Sequence, residues 1–301
     1  MSIYDKKQMS IRLLTKYEAM LACPICSSPL QMLQTANTGS LRCSRGHCFD
    51  IAKQGYVNLL PQPPRGAYDK SMFEARRRVS ASGFFEPLLE RISGRISREL
   101  ASEAEPAHLA HLLDAGCGEG SALARIVHLV HERTAAKLRG AGVDISKEAI
   151  RIAARESSRA IWCVADLARC PFADRTFGFI LNLLSPSNYS EFRRLLADSG
   201  MVIKVIPGSA YLRELREVLY RQTDRQHYDN ERTAALFCRH FHLLETDSVQ
   251  YRLPAAPAFL EDVIRMTPLS WGAPEERIRQ ALRMENAKIT ADFTILYGKK
   301  K

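Results

Sequence analysis

His111-Leu112-Leu113-Asp114-Ala115-Gly116-Cys117-Gly118-Glu119-Gly120 is the stretch that decides the fold. It reads as a buried strand, an acidic residue and then glycines at alternate positions that lead into a helix. These glycines allow a sharp turn and let a ligand approach the backbone without a Cβ clash. A nicotinamide dinucleotide-binding motif would need its third glycine at position 121, which is Ser121. The Lys-Ser/Thr pair of a nucleotide-hydrolysing phosphate loop does not follow either. The spacing therefore favours an aminoacyl-type cofactor over a pyrophosphate.

Apolar runs alternate with helix-like segments around this loop. Such alternation predicts an α/β fold, with a doubly wound, mostly parallel, Rossmann-like sheet. The predicted strands are 111–114, 140–144, 160–165, 177–183, 200–206, 241–249 and 293–297. The predicted helices are 71–81, 84–103, 120–132, 146–156, 188–198, 209–222 and 230–240.

Three successive predicted strands end in an acid, Asp114, Asp144 and Asp166. In sheets of this kind ligands bind outside the carboxyl ends of the strands, and an acid after the second strand accepts hydrogen bonds from ribose hydroxyls. Each aspartate taken alone reads as a helix cap or a turn residue. Because they follow one another behind a glycine loop, we expect them to converge on one crevice.

A second constellation lies near the N-terminus, where Cys23-Pro24-Ile25-Cys26 is followed by Cys43-Ser44-Arg45-Gly46-His47-Cys48. Two such knuckles supply a Cys3His tetrahedral shell, and thiolate with imidazole favours zinc over hard cations. Cys48 is an alternative fourth ligand, ranked second because adjacent residues usually point in different directions. A chance cluster of thiols and a redox CxxC are the competing interpretations. Four protein ligands would make the site closed and structural.

The chain organisation follows from these landmarks. We predict an N-terminal helix at 1–21, a zinc module at 22–60, a proline-rich linker at 61–71 and the large α/β domain at 72–301. The N-terminus lacks a secretory apolar region, so the protein is expected in the cytoplasm, with reduced thiols. A formal net charge of +10 suits a polyanionic partner, although a basic protein that merely stays soluble would look the same.

The loop and the two later acids resemble the class I S-adenosylmethionine-dependent methyltransferases. The knuckles, the run 49–60, the Ala75-Arg76-Arg77 segment and Met266-Thr267-Pro268-Leu269-Ser270-Trp271 narrow this resemblance. Together they are similar to the bacterial 23S ribosomal RNA guanine-N1 methyltransferases, a group with housekeeping enzymes of hairpin 35 and tylosin-resistance enzymes. The likeness runs from about residue 22 to the C-terminus.

This resemblance implies two cofactors, S-adenosylmethionine and structural zinc, the latter held by Cys23, Cys26, Cys43 and His47. It implies methyl transfer to guanine N1 in the hairpin 35 loop of 23S rRNA. Asp144 would hold the ribose and Asp166 would lie near the adenine amine. The other expected cofactor contacts are Phe85, Asp114, Gly116, Gly118, Glu119, Gly120 and Tyr211.

Asn182 and Ser185 follow the fourth predicted strand and are candidates to orient the target base by hydrogen bonding. The basic run Arg76-Arg77-Arg78, with Lys53 and with Arg65 and Lys70 nearby, is a candidate RNA-binding surface, although charge runs are often solvated helix faces. Two rival functions remain open, a methyltransferase of small molecules and a non-catalytic RNA-binding relic. The sequence is compatible with a homodimer and with a role in antibiotic resistance. It indicates neither which guanine is methylated nor which residue acts as a general base.

Overall fold

The computed structural model describes residues 3–35, 38–62, 69–102, 111–221, 223, 230–284 and 287–301. Most of the predicted linker, residues 63–68 with Arg65, lies outside these ranges. In the described part of the chain, no helix combines the length and the apolar character needed to cross a bilayer.

An eight-stranded sheet forms the centre of the protein. Its strands are β4 (Val57–Asn58), β5 (His111–Ala115), β6 (Arg139–Asp144), β7 (Ala160–Val164), β8 (Phe177–Leu183), β9 (Leu196–Pro207), β10 (Phe241–Pro254) and β11 (Lys288–Lys300). They lie in the order β10-β11-β9-β8-β5-β6-β7-β4. The pairs of β11 with β9 and with β10 are antiparallel, and the other pairs are parallel. The predicted doubly wound, mostly parallel sheet is confirmed.

Helices cover both faces of the sheet because its central strands are apolar on both sides. Along β5, Leu112 packs into one hydrophobic cluster and Leu113 into the opposite one. The helices are α1 (Ile3–Lys16), α2 (Lys70–Ala81), α3 (Glu86–Ser102), α4 (Ser121–Arg133), α5 (Lys147–Glu156), α6 (Tyr189–Leu195), α7 (Arg213–Leu219), α8 (Glu231–His240), α9 (Pro257–Met266) and α10 (Glu275–Leu282).

Some element boundaries differ from the predicted ones. The expected helix 188–198 ends at Leu195, since Leu196 already pairs with Phe177 in the ladder of β9 and β8. Here strand pairing overrides helical periodicity. The helix expected at 209–222 is shorter in the structure, where α7 spans Arg213–Leu219. Helices α9 and α10 were absent from the expected set, although Pro257 at the first turn of α9 is a helix-start signal.

The N-terminal region packs directly on the large sheet. It contains α1 and a small antiparallel sheet of β1 (Leu30–Gln34), β2 (Gly39–Cys43) and β3 (Cys48–Asp50). Ile11 of α1 and Leu41 of β2 belong to the same hydrophobic cluster as Cys163 of β7. Val57–Asn58, which the expected boundaries assign to the zinc module, pairs with β7 as the edge strand of the large sheet. The N-terminal region and the large domain therefore share one core.

Candidate cofactor site and metal centre

The expected metal ligands lie at two tight turns of the N-terminal region. Their four ligand atoms lie within 4.8 Å of one another and belong to Cys23, Cys26, Cys43 and His47. Ser27 N–H donates to Cys23 O at 2.8 Å, and Gly46 N–H donates to Cys43 O at 2.9 Å. These hydrogen bonds close each turn around its first cysteine, so the two turns face each other with the ligands between them.

The spacing of the ligand atoms fits a tetrahedral zinc ion. A Zn–S bond of about 2.3 Å places tetrahedral ligands about 3.8 Å apart. Cys26 Sγ lies 3.6 Å from Cys43 Sγ, and His47 Nδ1 lies 3.4 Å from Cys43 Sγ. Hydrogen bonding with Ser28 lowers the pKa of the Cys26 thiol to about 6, which favours the thiolate that zinc binds. Cys48, the second-ranked ligand, is exposed and lies outside this group of four.

The glycine loop connects β5 to α4 through three left-handed residues. Gly116, Gly118 and Gly120 have φ angles of +83°, +55° and +82°. A Cβ at Gly116 would lie 2.6 Å from Ser185 Oγ, and a Cβ at Gly120 would lie 2.5 Å from the Trp162 ring. The loop thus needs glycine for its backbone conformation and for the close approach of its neighbours.

We expect Gly116→Ala to lower both stability and cofactor affinity. The left-handed backbone costs about 1–2 kcal/mol for a residue with a Cβ, and the overlap with Ser185 displaces the cavity wall. Gly83→Ala is the matched control, because Gly83 has a φ of +84° but no atom within 4 Å of an added Cβ. Urea unfolding should show a loss in both variants. Calorimetric titration with S-adenosylhomocysteine should show weaker binding only for Gly116→Ala, and equal affinities would contradict the proposed role of the loop.

Asp114, at the end of β5, is a buried acid with an unused hydrogen-bonding atom. Burial raises its pKa to about 8, and the nearby charges of Asp144 and Glu119 add to the effect. Its Oδ1 accepts no hydrogen bond from the described part of the chain. Because a buried unsatisfied polar atom is costly, it marks a place for a donor or a cation. S-adenosylmethionine carries an ammonium and a sulfonium group, so the residue fits this cofactor.

The other two strand-end acids have different surroundings. Asp144 is half-buried, and its carboxylate accepts from the Gly118 N–H at 2.9 Å and from the Ser146 N–H at 2.8 Å. Asp166 is exposed and caps a short 3-10 helix by accepting from the Ala168 N–H at 2.8 Å. The structure therefore brings Asp114 and Asp144 together beside the loop and leaves Asp166 on the surface.

A cavity of about 780 Å³ opens beside the loop at the carboxyl ends of β5, β8 and β9. This volume is in the range of small-molecule sites. The rings of Phe85 and Tyr211 both line it, and their centroids lie 5.9 Å and 5.2 Å from that of Phe293. Of the other expected site residues, those that line the cavity are Arg76, Asp114, Gly116, Glu119 and Ser185. Gly118, Gly120, Asp144 and Asp166 are not part of its wall.

Asn182 and Ser185 form a hydrogen-bonded turn after β8. The Asn182 amide is fully buried and donates to Ala115 O at 2.8 Å and to Pro186 O at 3.0 Å. Lys204 donates to Asn182 Oδ1 and, at 2.7 Å, to Ser185 O. Burial lowers the pKa of the Lys204 ammonium group to about 8. The buried Asn182 side chain thus holds the turn by hydrogen bonds, while Ser185 lines the cavity.

The basic run on α2 divides between different surroundings. Arg78 forms a bidentate pair with Asp262, and Arg77 lies 3.6 Å from Glu156. Arg76 instead lines the cavity and would lie 3.3 Å from a Cβ at Gly118. Of the outlying cations, Lys53 is exposed and Lys70 pairs with Glu74 at 3.0 Å. The three arginines therefore do not lie on one solvent-exposed face of α2.

Lys204 and Trp271 both line the cavity, and neither is among the site residues expected from the sequence. A lysine inside the apolar run of β9 was an available signal, because charged residues are rarely buried without a functional or structural partner. Trp271 belonged to a segment quoted only for its family resemblance. Its place on the cavity depends on how α9 packs, which periodicity does not reveal.

Comparison with known proteins gives two family matches. Residues 21–64 match the model described as "RlmA, N-terminal", a zinc ribbon, and residues 112–204 match a methyltransferase domain. The Bacillus subtilis (strain 168) protein YxjB, named as a candidate 23S rRNA (guanine-N(1)-)-methyltransferase, is 40% identical over 94% of this chain and 98% of its own. The 23S rRNA (guanine(748)-N(1))-methyltransferase of Streptomyces fradiae is 33% identical over 91% of this chain and 95% of its own.

Proposed function

This chain belongs to the family of 23S rRNA (guanine-N1)-methyltransferases, and we propose that it transfers the methyl group of S-adenosylmethionine to N1 of a guanine in the hairpin 35 loop of 23S rRNA. The observation that carries this proposal is the cavity beside the glycine loop, with the unsatisfied Asp114 carboxyl in its wall. The Streptomyces fradiae relative is named for guanine 748.

S-adenosylmethionine, when bound, supplies an electrophilic methyl group on a sulfonium. Asp114 would provide the counter-charge to the cationic cofactor. The rings of Phe85 and Tyr211 would pack against the cofactor. Gly116 and the buried Glu119 line the cavity that would hold the cofactor, whereas Gly118 and Gly120 stay predictions for cofactor contact. Asp144 keeps lone pairs that a ribose hydroxyl could use, since a carboxylate accepts about four hydrogen bonds. Asp166 stays a prediction for the adenine amine.

The target base must present its N1 edge to the methyl carbon. Guanine N1 carries a proton at neutral pH, and this proton would pass to solvent water as the N1–C bond forms and the S–C bond of the methyl donor breaks. The turn of Ser185 and Pro186 faces the cavity and would orient the base edge, while Asn182 holds the turn in place. Lys204 would place a positive charge beside the base as the proton leaves. Positioning in line with the sulfonium supplies much of the rate.

RNA would approach from the side of the zinc module. The exposed Lys53 of this module would contact phosphates, and so would Arg77 and Arg78 after leaving their acidic partners. Arg76, in the cavity wall, would meet the RNA only where the target nucleotide enters. We therefore propose residues 22–60 as a substrate-recognition module and 72–301 as the catalytic domain. An rRNA substrate would place the protein in the cytoplasm. Homodimerisation stays a prediction.

Primer extension across 23S rRNA tests the proposed target. N1 methylation blocks the pairing edge of guanine, so reverse transcriptase should stop in the hairpin 35 loop with RNA from a strain that expresses this protein. The stop should be absent when the gene is deleted. A stop elsewhere in 23S rRNA would show that a different nucleotide is methylated. Identical stop profiles for RNA from the two strains would favour a methyltransferase of small molecules.

Cofactor affinity should depend on pH through Asp114. The free protein holds this carboxyl protonated below a pKa of about 8, whereas a cationic ligand binds the ionised form. Binding therefore releases a proton, and affinity should rise up to about tenfold per pH unit between pH 6 and 7.5, where a ligand α-amino group stays mostly protonated. Calorimetry with S-adenosylhomocysteine in buffers of different ionisation enthalpy measures both quantities. A flat profile without proton release would contradict this assignment.

A further inference from the structure

Trp271 is a large aromatic side chain at the entrance of the cofactor cavity. It is 51% exposed, yet it also lines the cavity that contains Asp114 and Ser185. Leu236, on α8, is likewise exposed and lines the same cavity. The cavity therefore has an apolar entrance that is open to solvent, in contrast to its charged floor.

The backbone that carries Trp271 is held by hydrogen bonds within its turn and by one from Tyr220. The Tyr220 hydroxyl donates to Leu269 O at 2.6 Å, and the Ser270 hydroxyl donates to Thr267 O at 2.9 Å. Trp271 N–H itself donates to Pro268 O at 3.0 Å. The segment follows directly on Met266, which is buried in the core. An aromatic ring on an ordered turn loses little conformational entropy when a ligand stacks on it.

The chemistry of this entrance suits a planar, partly apolar ligand. Unpaired RNA bases are recognised by stacking on aromatic side chains, and an enzyme that modifies a base edge must hold the base outside its own stack. The turn of Ser185 and Pro186 lines the same cavity, and its two carbonyl oxygens, which accept from Lys204 and Asn182, each keep a second lone pair for the edge of such a base. A face-stacking residue and an edge-binding turn in the wall of one cavity are complementary.

This inference rests on the proposed function. We propose that Trp271 stacks on the extruded target guanine and holds it over the cavity while its N1 edge faces the cofactor. Trp271 is then a substrate-binding residue, whose removal weakens RNA binding and leaves cofactor binding intact.

The intrinsic fluorescence of the protein tests this proposal. The chain has two tryptophans, and Trp162 is buried, with 1% of its surface exposed, so a change on RNA binding reports Trp271. The probe is a hairpin 35 RNA added to the protein saturated with S-adenosylhomocysteine. We expect the hairpin to quench the fluorescence, and the same hairpin with an abasic residue at the methylated position to leave it unchanged. Equal quenching by the two hairpins would overturn the proposal.

Substitutions separate stacking from folding. Stacking on an aromatic ring is worth a few kcal/mol per base, so Trp271→Ala should bind the hairpin about 5- to 150-fold more weakly. Trp271→Phe should retain most of the affinity. Leu282→Ala is the control, because Leu282 is an exposed apolar residue outside the cavity wall. All three variants should bind S-adenosylhomocysteine like the unmodified protein.

The outcomes distinguish this inference from the proposed function. If the unmodified protein methylates the hairpin and Trp271→Ala binds it with unchanged affinity, stacking by Trp271 is wrong and the rRNA activity stands. If the unmodified protein neither binds nor methylates 23S rRNA, the proposed function fails first, and the inference fails with it.

Discussion

Replacement of Cys43 by serine is expected to cause the largest loss of stability among the changes considered. Structural zinc sites in small modules contribute about 10–16 kcal/mol of apparent binding free energy, which matches or exceeds the whole stability of a typical domain. The loss should extend beyond the N-terminal region, since Leu41 and Ile11 share a core with Cys163 of β7. A decrease of even 4 kcal/mol would lower the melting temperature by roughly 8–16 °C.

Cys48→Ser provides the control for this experiment. Cys48 lies five positions from Cys43 but is exposed and outside the ligand group. Atomic absorption should find zinc in the unmodified protein and in Cys48→Ser, but not in Cys43→Ser. Thermal unfolding should separate the two variants in the same way. Equal zinc content and equal melting temperatures for both variants would show that the Cys3His assignment is wrong.

The second large effect is expected at Asp114. Asp114→Asn keeps the size of the side chain but removes the charge that a cationic cofactor would meet in a buried site. Loss of one partner of a buried charge pair costs about 2–5 kcal/mol, which corresponds to roughly 30- to several-thousand-fold in affinity. The pH dependence of binding should disappear in the same variant, because the titrating group is gone.

Stability separates this binding effect from misfolding. Since Asp114 has a pKa of about 8, it is mostly neutral at pH 7 in the free protein, and asparagine at this position should unfold with nearly the same urea midpoint. Asp198→Asn is the comparison variant, because Asp198 is exposed, pairs with Lys300 and does not line the cavity. If Asp114→Asn bound S-adenosylhomocysteine as tightly as the unmodified protein, the role of Asp114 as counter-charge would be refuted.

Features that depend on neighbouring residues in the chain could be predicted from the sequence. The glycine loop follows from backbone conformations that only Gly116, Gly118 and Gly120 adopt cheaply. The knuckles likewise pair ligands within a few residues, so the Cys3His group could be predicted without knowledge of the fold. The order of strands and helices follows from hydrophobic periodicity.

Features set by tertiary packing could not be predicted in this way. The sequence places Arg76, Arg77 and Arg78 side by side, yet a helix points them in different directions, toward the cavity, Glu156 and Asp262. Asp144 and Asp166 look equivalent as strand-end acids, but Asp144 is half-buried and accepts a hydrogen bond from the glycine loop, whereas Asp166 is exposed.

Nucleoside mass spectrometry of 23S rRNA shows directly whether this protein methylates guanine N1. Ribosomal RNA from a strain that lacks the gene would be incubated with the purified protein and isotopically labelled S-adenosylmethionine, then digested to nucleosides. We expect labelled 1-methylguanosine with the unmodified protein and a strongly reduced amount with Asp114→Asn at limiting cofactor. Absence of labelled 1-methylguanosine, with the label in another nucleoside or in none, would contradict the proposed function.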